Sequence, residues 1–392
     1  MHVGKFLHEL LNNTIHKSRI KSITPVIEAV ITSKTLQLTQ LGRSLNTPGK
    51  ERAGIRRIDR LLANPFYQNK SMHIYKAIST LIVRNQDRPH IIIDWSGLPN
   101  SRRVTKQGEH MVLRAALVAQ GRAITLYDEV HSRKKDGCPK THEAFLKNLQ
   151  LVLPKGCRPI IITDAGFKVP WFRSALKMGW DYIGRVRGKL HYDAGQGYQP
   201  ISTLYPSAKY TPQAKGVINL TKANDFKTNL YIYKHKLKGR KKLTRTGVSE
   251  KTIDAIQRSR GYREPWVIVS SLEKKDISAK CIINIYKSRM TIEENFRDVK
   301  SNVTGLSMND NITILAERFI VWLILSALAS LIAWIVGYSA EKKGLHYDFQ
   351  VNTYSSRRVL SFFYLGCQII KKKIKVPVSI NNFQIHIWSA TP

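Results

Sequence analysis

Two short runs constrain this chain more than any other feature: His90-Ile-Ile-Ile-Asp94-Trp-Ser and Pro159-Ile-Ile-Ile-Thr163-Asp164. Each is continuously apolar and too short for a helix, so each reads as a strand buried on both faces and ending in an acid. Strands of that kind need covering helices, which implies an α/β domain. The C-terminal ends of such strands form the edge where α/β sheets carry their functional groups. If the two strands are neighbours, Asp94 and Asp164 converge, and their mutual repulsion calls for a bound cation.

The surrounding pattern agrees. Residues 111–119 and 123–130 are β-prone runs joined at Gln120-Gly121-Arg122, a hairpin signal. Residues 142–153 and 170–177 read as helices, and 180–186 and 265–271 as further strands. Before them, residues 1–85 read as a helical DNA-binding domain, with turn signals at Thr47-Pro48-Gly49 and Asn64-Pro65. Within it, residues 52–62 form a basic amphipathic helix whose Arg56 and Arg57 are candidate DNA contacts. The expected organisation continues with residues 86–187 as the first part of a catalytic domain and 188–264 as a β-rich insertion. Residues 265–345 are then its second part, and 346–392 a C-terminal region for possible subunit pairing. The insertion has short strands expected at 217–220 and 229–233, followed by a cationic loop at 234–263.

Charge narrows the partner. The chain has 64 Lys and Arg against 27 Asp and Glu, a formal net charge of +37, which concentrates polyanions and points to nucleic acid. With 43% hydrophobic residues it is a folded protein rather than a basic tail. Its four cysteines form no CxxC pair, so neither a zinc site nor a disulfide framework is indicated, and a reducing cytosol fits. The N-terminus lacks a signal-peptide core. The uncharged run 319–336 is long enough to cross a membrane, but it stands alone and contains Ser326 and Ser330. It reads as a buried central helix, with no membrane partner.

The third acid lies in residues 286–300, which read as one helix. At roughly 100° per residue, Tyr286, Arg289, Glu293 and Lys300 fall within an arc of roughly 60°, with Arg297 beside them. Ile285, Ile292, Phe296 and Val299 form a separate apolar stripe. A carboxylate held among cations suits work beside a polyanion. Together, Asp94, Asp164 and Glu293 offer hard oxygen ligands for a two-metal site taking Mg²⁺, with Mn²⁺ as a substitute.

The spacing Tyr-x2-Arg-x3-Glu-x6-Lys resembles the signature of the DDE transposases of the bacterial insertion-sequence-four family. Asp94-Trp-Ser and Thr163-Asp164-Ala-Gly-Phe-Lys-Val-Pro-Trp are similar to the acid motifs of its transposon-ten branch, and Arg185-Val-Arg-Gly adds to the match. The resemblance spans roughly residues 52–365. It implies a ribonuclease-H-like catalytic domain interrupted by the β-rich insertion. It also implies cut-and-paste transposition through strand nicking, hairpin formation and resolution, and strand transfer. The DNA would be terminal inverted repeats and target, held by a homodimer in a synaptic complex within the bacterial cytoplasm, at the nucleoid.

By the same resemblance, Asp94, Asp164 and Glu293 are catalytic, and Tyr286, Arg289 and Lys300 hold phosphates. Trp266 stacks on a flipped base or is a core tryptophan. Arg185 and Arg187 contact DNA, one of the two being expected to be structural; Arg297, Lys168 and Arg173 are further candidates. Two alternatives stand beside this reading: a ribonuclease-H-like structure-selective nuclease, and a non-catalytic transposon-end binder.

Overall fold

The computed structural model describes all residues except 1–2, 47, 85, 100–108, 236–263, 274, 276, 352, 354–355 and 379–392. The cationic loop expected at 234–263 and most of the C-terminal tail thus lie outside the described residues. The chain forms two compact units: residues up to 159 with those from 290 onwards, and residues 160–289.

The first unit opens with six helices, α1 (Val3–Leu11), α2 (Lys17–Ser33), α3 (Leu38–Ser44), α4 (Glu51–Leu62), α5 (Pro65–Asn69) and α6 (Ser71–Val83). Asn64 caps α5, its side chain accepting from the Phe66 N–H at 3.0 Å, and Pro65 sits where a missing N–H does no harm. Helices α3 and α4 cross at Gly42 and Gly54, where a Cβ on either would run into the other helix's backbone. Three antiparallel strands follow: β1 (His90–Gly97), β2 (His110–Val118) and β3 (Ala123–Ser132), then helix α7 (Pro139–Val152). The β2–β3 turn contains Gly121 at φ +75°, a left-handed position that favours glycine.

The second unit contains β4 (Ile160–Thr163), helix α8 (Val169–Lys177), β5 (Asp181–Val186), β6 (His191–Asp193) and β7 (Gln199–Pro200). Strands β8 (Gln213–Leu220), β9 (Phe226–Tyr233) and β10 (Trp266–Ser270) and helix α9 (Ala279–Lys287) complete it. Strand β4 runs parallel to β5, and the ladder continues antiparallel through β10, β9, β8 and β6 to β7. The strands expected at 217–220 and 229–233 are therefore present and longer, and they extend the ladder of β5. For that reason the compact units part at 159/160 and 289/290, whereas the sequence pattern set the insertion at 188–264. Phe172 of α8 lies over Gly184 with no room for a Cβ, and stacks on Tyr182 at 4.6 Å.

The chain returns to the first unit with α10 (Met290–Lys300), α11 (Ala316–Glu341) and α12 (Phe362–Lys371). Helix α11 contains the apolar run, and it is apolar all round because protein surrounds it. It packs on β3, α2 and α12, and 89% of its most apolar window is buried. Glycines permit the closest of these contacts: Gly337 of α11 meets the Phe362 carbonyl, and Gly366 of α12 meets the Ala333 carbonyl. Length and composition alone would let this helix span a membrane; its place in the core explains the same composition.

One expectation is corrected. Residues 286–300 are not a single helix: α9 ends at Lys287 and α10 begins at Met290. The Ser288 hydroxyl bonds back to the Ile285 carbonyl at 2.6 Å, and the N–H groups of Ser288 and Arg289 reach only three residues back, to Ile285 and Tyr286. That local bonding replaces the helical ladder for a turn. Tyr286 and Arg289 therefore do not share a helix face with Glu293 and Lys300.

Candidate active site

In the first unit, Asp94 sits on β1 beyond the buried Ile91-Ile92-Ile93. It is half-buried, and its Oδ1 accepts the N–H of Trp95 at 2.9 Å. In register beside it are Arg114 on β2 and Asp128 on β3, so an acid, a guanidinium and an acid form a row across three strands. Lys300, at the end of α10, donates from Nζ to Ser96 Oγ at 2.7 Å and to the Gly97 carbonyl. Burial lowers its ammonium to about 8, the charge of Arg114 adds to that, and Asp94 opposes it. Asp94 and Lys300 are thus electrostatic neighbours. Glu293 lies in the first turn of α10, exposed, where a carboxylate suits the helix dipole.

Three buried residues that sequence reasoning missed fix α10 to the sheet. Arg114 donates from Nε and Nη2 to the two oxygens of Asp128, both at 2.7 Å, and from Nη1 to Asn295 Oδ1 at 2.6 Å. Asn295 in turn donates to the Ala123 carbonyl at 3.0 Å. Asp298, one helical turn on, accepts from Arg122 Nε at 2.8 Å. The available signal was the Arg inside Leu113-Arg114-Ala115, a cation within an apolar strand that requires an acid partner.

In the second unit, Asp164 follows β4 and accepts the Gly166 N–H at 2.8 Å. Tyr286 is buried at the end of α9. Burial is the main cause raising its hydroxyl, Arg289 and Arg185 oppose this, and Asp164 pushes it further up. Asp164, Tyr286 and Arg289 therefore share one electrostatic neighbourhood. Trp266 is half-buried with its ring edge-on to Tyr286 at 5.1 Å, and near Tyr233 and His235 at 5.9 and 5.2 Å. Arg185 on β5 and Arg187 just beyond its end both reach Glu264, at 3.8 and 3.3 Å. Arg185 is largely buried and Arg187 exposed.

The other candidates are placed as follows. Arg297 is exposed and pairs within α10 with Glu294 at 2.7 Å. Lys168 donates to the Ala165 carbonyl at 2.8 Å, and Arg173 to the Asn224 carbonyl. Arg56 is exposed on α4, whereas Arg57 is half-buried and donates to the Ser22 carbonyl at 3.2 Å. Arg52 and Arg60, which sequence reading did not single out, line up with Arg56 at i, i+4 and i+8 on the exposed side of α4.

The model of the Transposase DDE domain matches residues 85–330. The chain belongs to that family. It is accordingly a transposase, and a transposase DDE domain performs phosphoryl transfer on DNA. The solved structure of a piggyBac transposase synaptic complex with hairpin DNA aligns with this transposase at 12% identity, covering 98% of this chain and 82% of that one with a TM-score of 0.45. No curated protein matches the chain.

Among the described residues, no three His, Cys, Asp or Glu side chains gather as a metal-binding group. Asp94 and Glu293 belong to one unit of the transposase and Asp164 to the other.

Proposed function

We propose that this transposase moves an insertion sequence by cut-and-paste, nicking at terminal inverted repeats, forming and resolving a hairpin, and joining the released end to target DNA. Asp94, Asp164 and Glu293 are the catalytic carboxylates and the ligands of two Mg²⁺ ions, with Mn²⁺ as a substitute. The observation that supports this reading is a pairing. Lys300 Nζ donates to Ser96 Oγ at 2.7 Å and to the Gly97 carbonyl, which pairs the end of the 286–300 signature with the strand that carries Asp94.

Divalent cations in such a site supply Lewis acidity and a lowered pKa for bound water. The chain's own groups do the rest. Lys300 and Arg289 present cations to DNA phosphates, Tyr286 holds Arg289, and the Trp266 ring offers a face to an extruded base. Arg185 and Arg187 contact the backbone, as does the arginine face of α4, which makes the N-terminal helices a DNA-binding region. Arg57 and Arg297, both engaged within the protein, are the weaker contacts. The Tyr-x2-Arg-x3-Glu-x6-Lys spacing supports a transposase of the insertion-sequence-four family, near transposon ten, that acts as a homodimer across two ends at the bacterial nucleoid.

The test is incubation of the full chain with Mg²⁺ and a labelled fragment carrying its own element's end, resolved on a denaturing gel. Asp94→Ala, Asp164→Ala and Glu293→Ala should each reduce cleavage by roughly a thousandfold or more while retaining end binding, the scale of losing a group used in the chemical step. Arg289→Ala and Lys300→Ala should nick but form less hairpin. Binding without cleavage under Mg²⁺ or Mn²⁺, or wild-type cleavage by Glu293→Ala, would overturn the proposal.

A further inference from the structure

Arg185 stands out among the buried cations of the second unit. Its Nε and Nη2 are buried with no hydrogen-bond partner, and so is Glu264 Oε2, the oxygen toward which both Arg185 and Arg187 point. Three polar atoms thus converge without satisfying one another. At 3.8 and 3.3 Å the contacts are those of charge attraction rather than of a hydrogen-bonded fork. One carboxylate faces two guanidinium groups, so the cluster keeps an excess positive charge. Burial lowers the Arg185 guanidinium, Arg187 adds to that, and Tyr286 and Glu264 oppose it.

A carboxylate has two acceptor oxygens in one plane, and here the one facing the arginines hydrogen-bonds to neither. A phosphodiester offers more acceptors in a tetrahedral array and matches the side-on face of a guanidinium through Nε and Nη2. Glu264 also lies on the chain immediately before Pro265 and Trp266, so a movement of its side chain needs no rearrangement of β10.

We propose that Glu264 is an internal stand-in for a DNA phosphate: it occupies the place between Arg185 and Arg187 in the DNA-free protein, and a backbone phosphate displaces it on binding. The inference rests on the reading of Arg185 and Arg187 as DNA contacts, and adds a gate to it. Because every duplex must compete with Glu264, the residue lowers affinity for DNA of any sequence by the same factor, so that at low concentration only duplexes making further contacts stay bound.

Fluorescence anisotropy of the full chain with a short labelled duplex of arbitrary sequence tests this, across a series of salt concentrations. Glu264→Gln keeps the size and removes the charge. It should bind roughly tenfold more tightly, equivalent to about 1.4 kcal/mol. Glu273→Gln removes the same charge from an exposed site that pairs with Lys275, and serves as the reference for net charge alone. Arg187→Ala should weaken binding and reduce the salt slope by about one. If Arg187→Ala leaves affinity and slope unchanged, the DNA-contact reading itself fails. If Arg187→Ala behaves as expected but Glu264→Gln binds no more tightly than Glu273→Gln, the gate alone is overturned.

Discussion

Trp95 follows the first strand acid directly, and its indole N–H donates to His142 Nε2 at 3.0 Å. That bond requires His142 to be unprotonated at Nε2. Burial, with the charge of His131 adding to it, lowers the His142 imidazole to about 4. The folded value lies below the unfolded value near 6.5, so the folded chain binds fewer protons in that interval. Stability from this group is complete above about pH 6.5 and is lost as pH falls toward 4, by at most about 3 kcal/mol. His142→Gln retains an acceptor and cannot titrate. In urea unfolding at about pH 7 and about pH 4.5, the wild type should lose roughly 1–3 kcal/mol more than the variant. His90, also lowered to about 4 by burial and Arg88, contributes the same background to both proteins. Equal losses would show that the Trp95 contact does not depend on the protonation of His142.

At the scale of elements, what holds the glutamate helix is a clamp rather than a stripe. Ile292, Phe296 and Val299 are buried, and the stripe supplies area, but Asn295 and Asp298 supply direction through Arg114 and Arg122. Arg114→Ala leaves Asp128 and Asn295 buried without their partner, and should lower unfolding stability by about 3–5 kcal/mol. Replacing Arg114, Asp128 and Asn295 together by apolar residues should recover much of that loss. The exposed Lys147–Glu143 pair, at 2.9 Å, should contribute at most about 0.5 kcal/mol. Denaturant midpoints check all three; a small effect of Arg114→Ala would mean that the stripe alone fixes the helix. The Ile-rich strands and the Gly121 hairpin were legible because their signals are local. Arg114 was not, because its partners come from a neighbouring strand and from a helix some 180 positions away. The break at Ser288 was hidden for the opposite reason: helical spacing continues across it, and the three-residue backbone bonds of Ser288 and Arg289, with the Ser288 hydroxyl on the Ile285 carbonyl, leave no trace in the apolar pattern.

At the scale of the whole molecule, the excess of positive charge is a statement about DNA affinity, and its distribution decides how that affinity responds to salt. Arg52, Arg56 and Arg60 are stacked on one exposed face of α4 at spacings where like charges repel, an arrangement that a polyanion relieves. Arg57, one residue from Arg56, is turned inward to the Ser22 carbonyl. If this face tracks a DNA backbone, each of the three should neutralise one phosphate. Replacing all three by Ala should then reduce the slope of log affinity against log salt by about 2–3, near 0.9 per lost contact. Arg57→Ala should change the slope by less than about half a unit, because its guanidinium bonds to the protein rather than to a phosphate. Salt titrations of duplex binding compare the two directly. An unchanged slope in the triple variant would remove α4 from the DNA interface, and a full unit lost in Arg57→Ala would show that the Ser22 contact opens on binding.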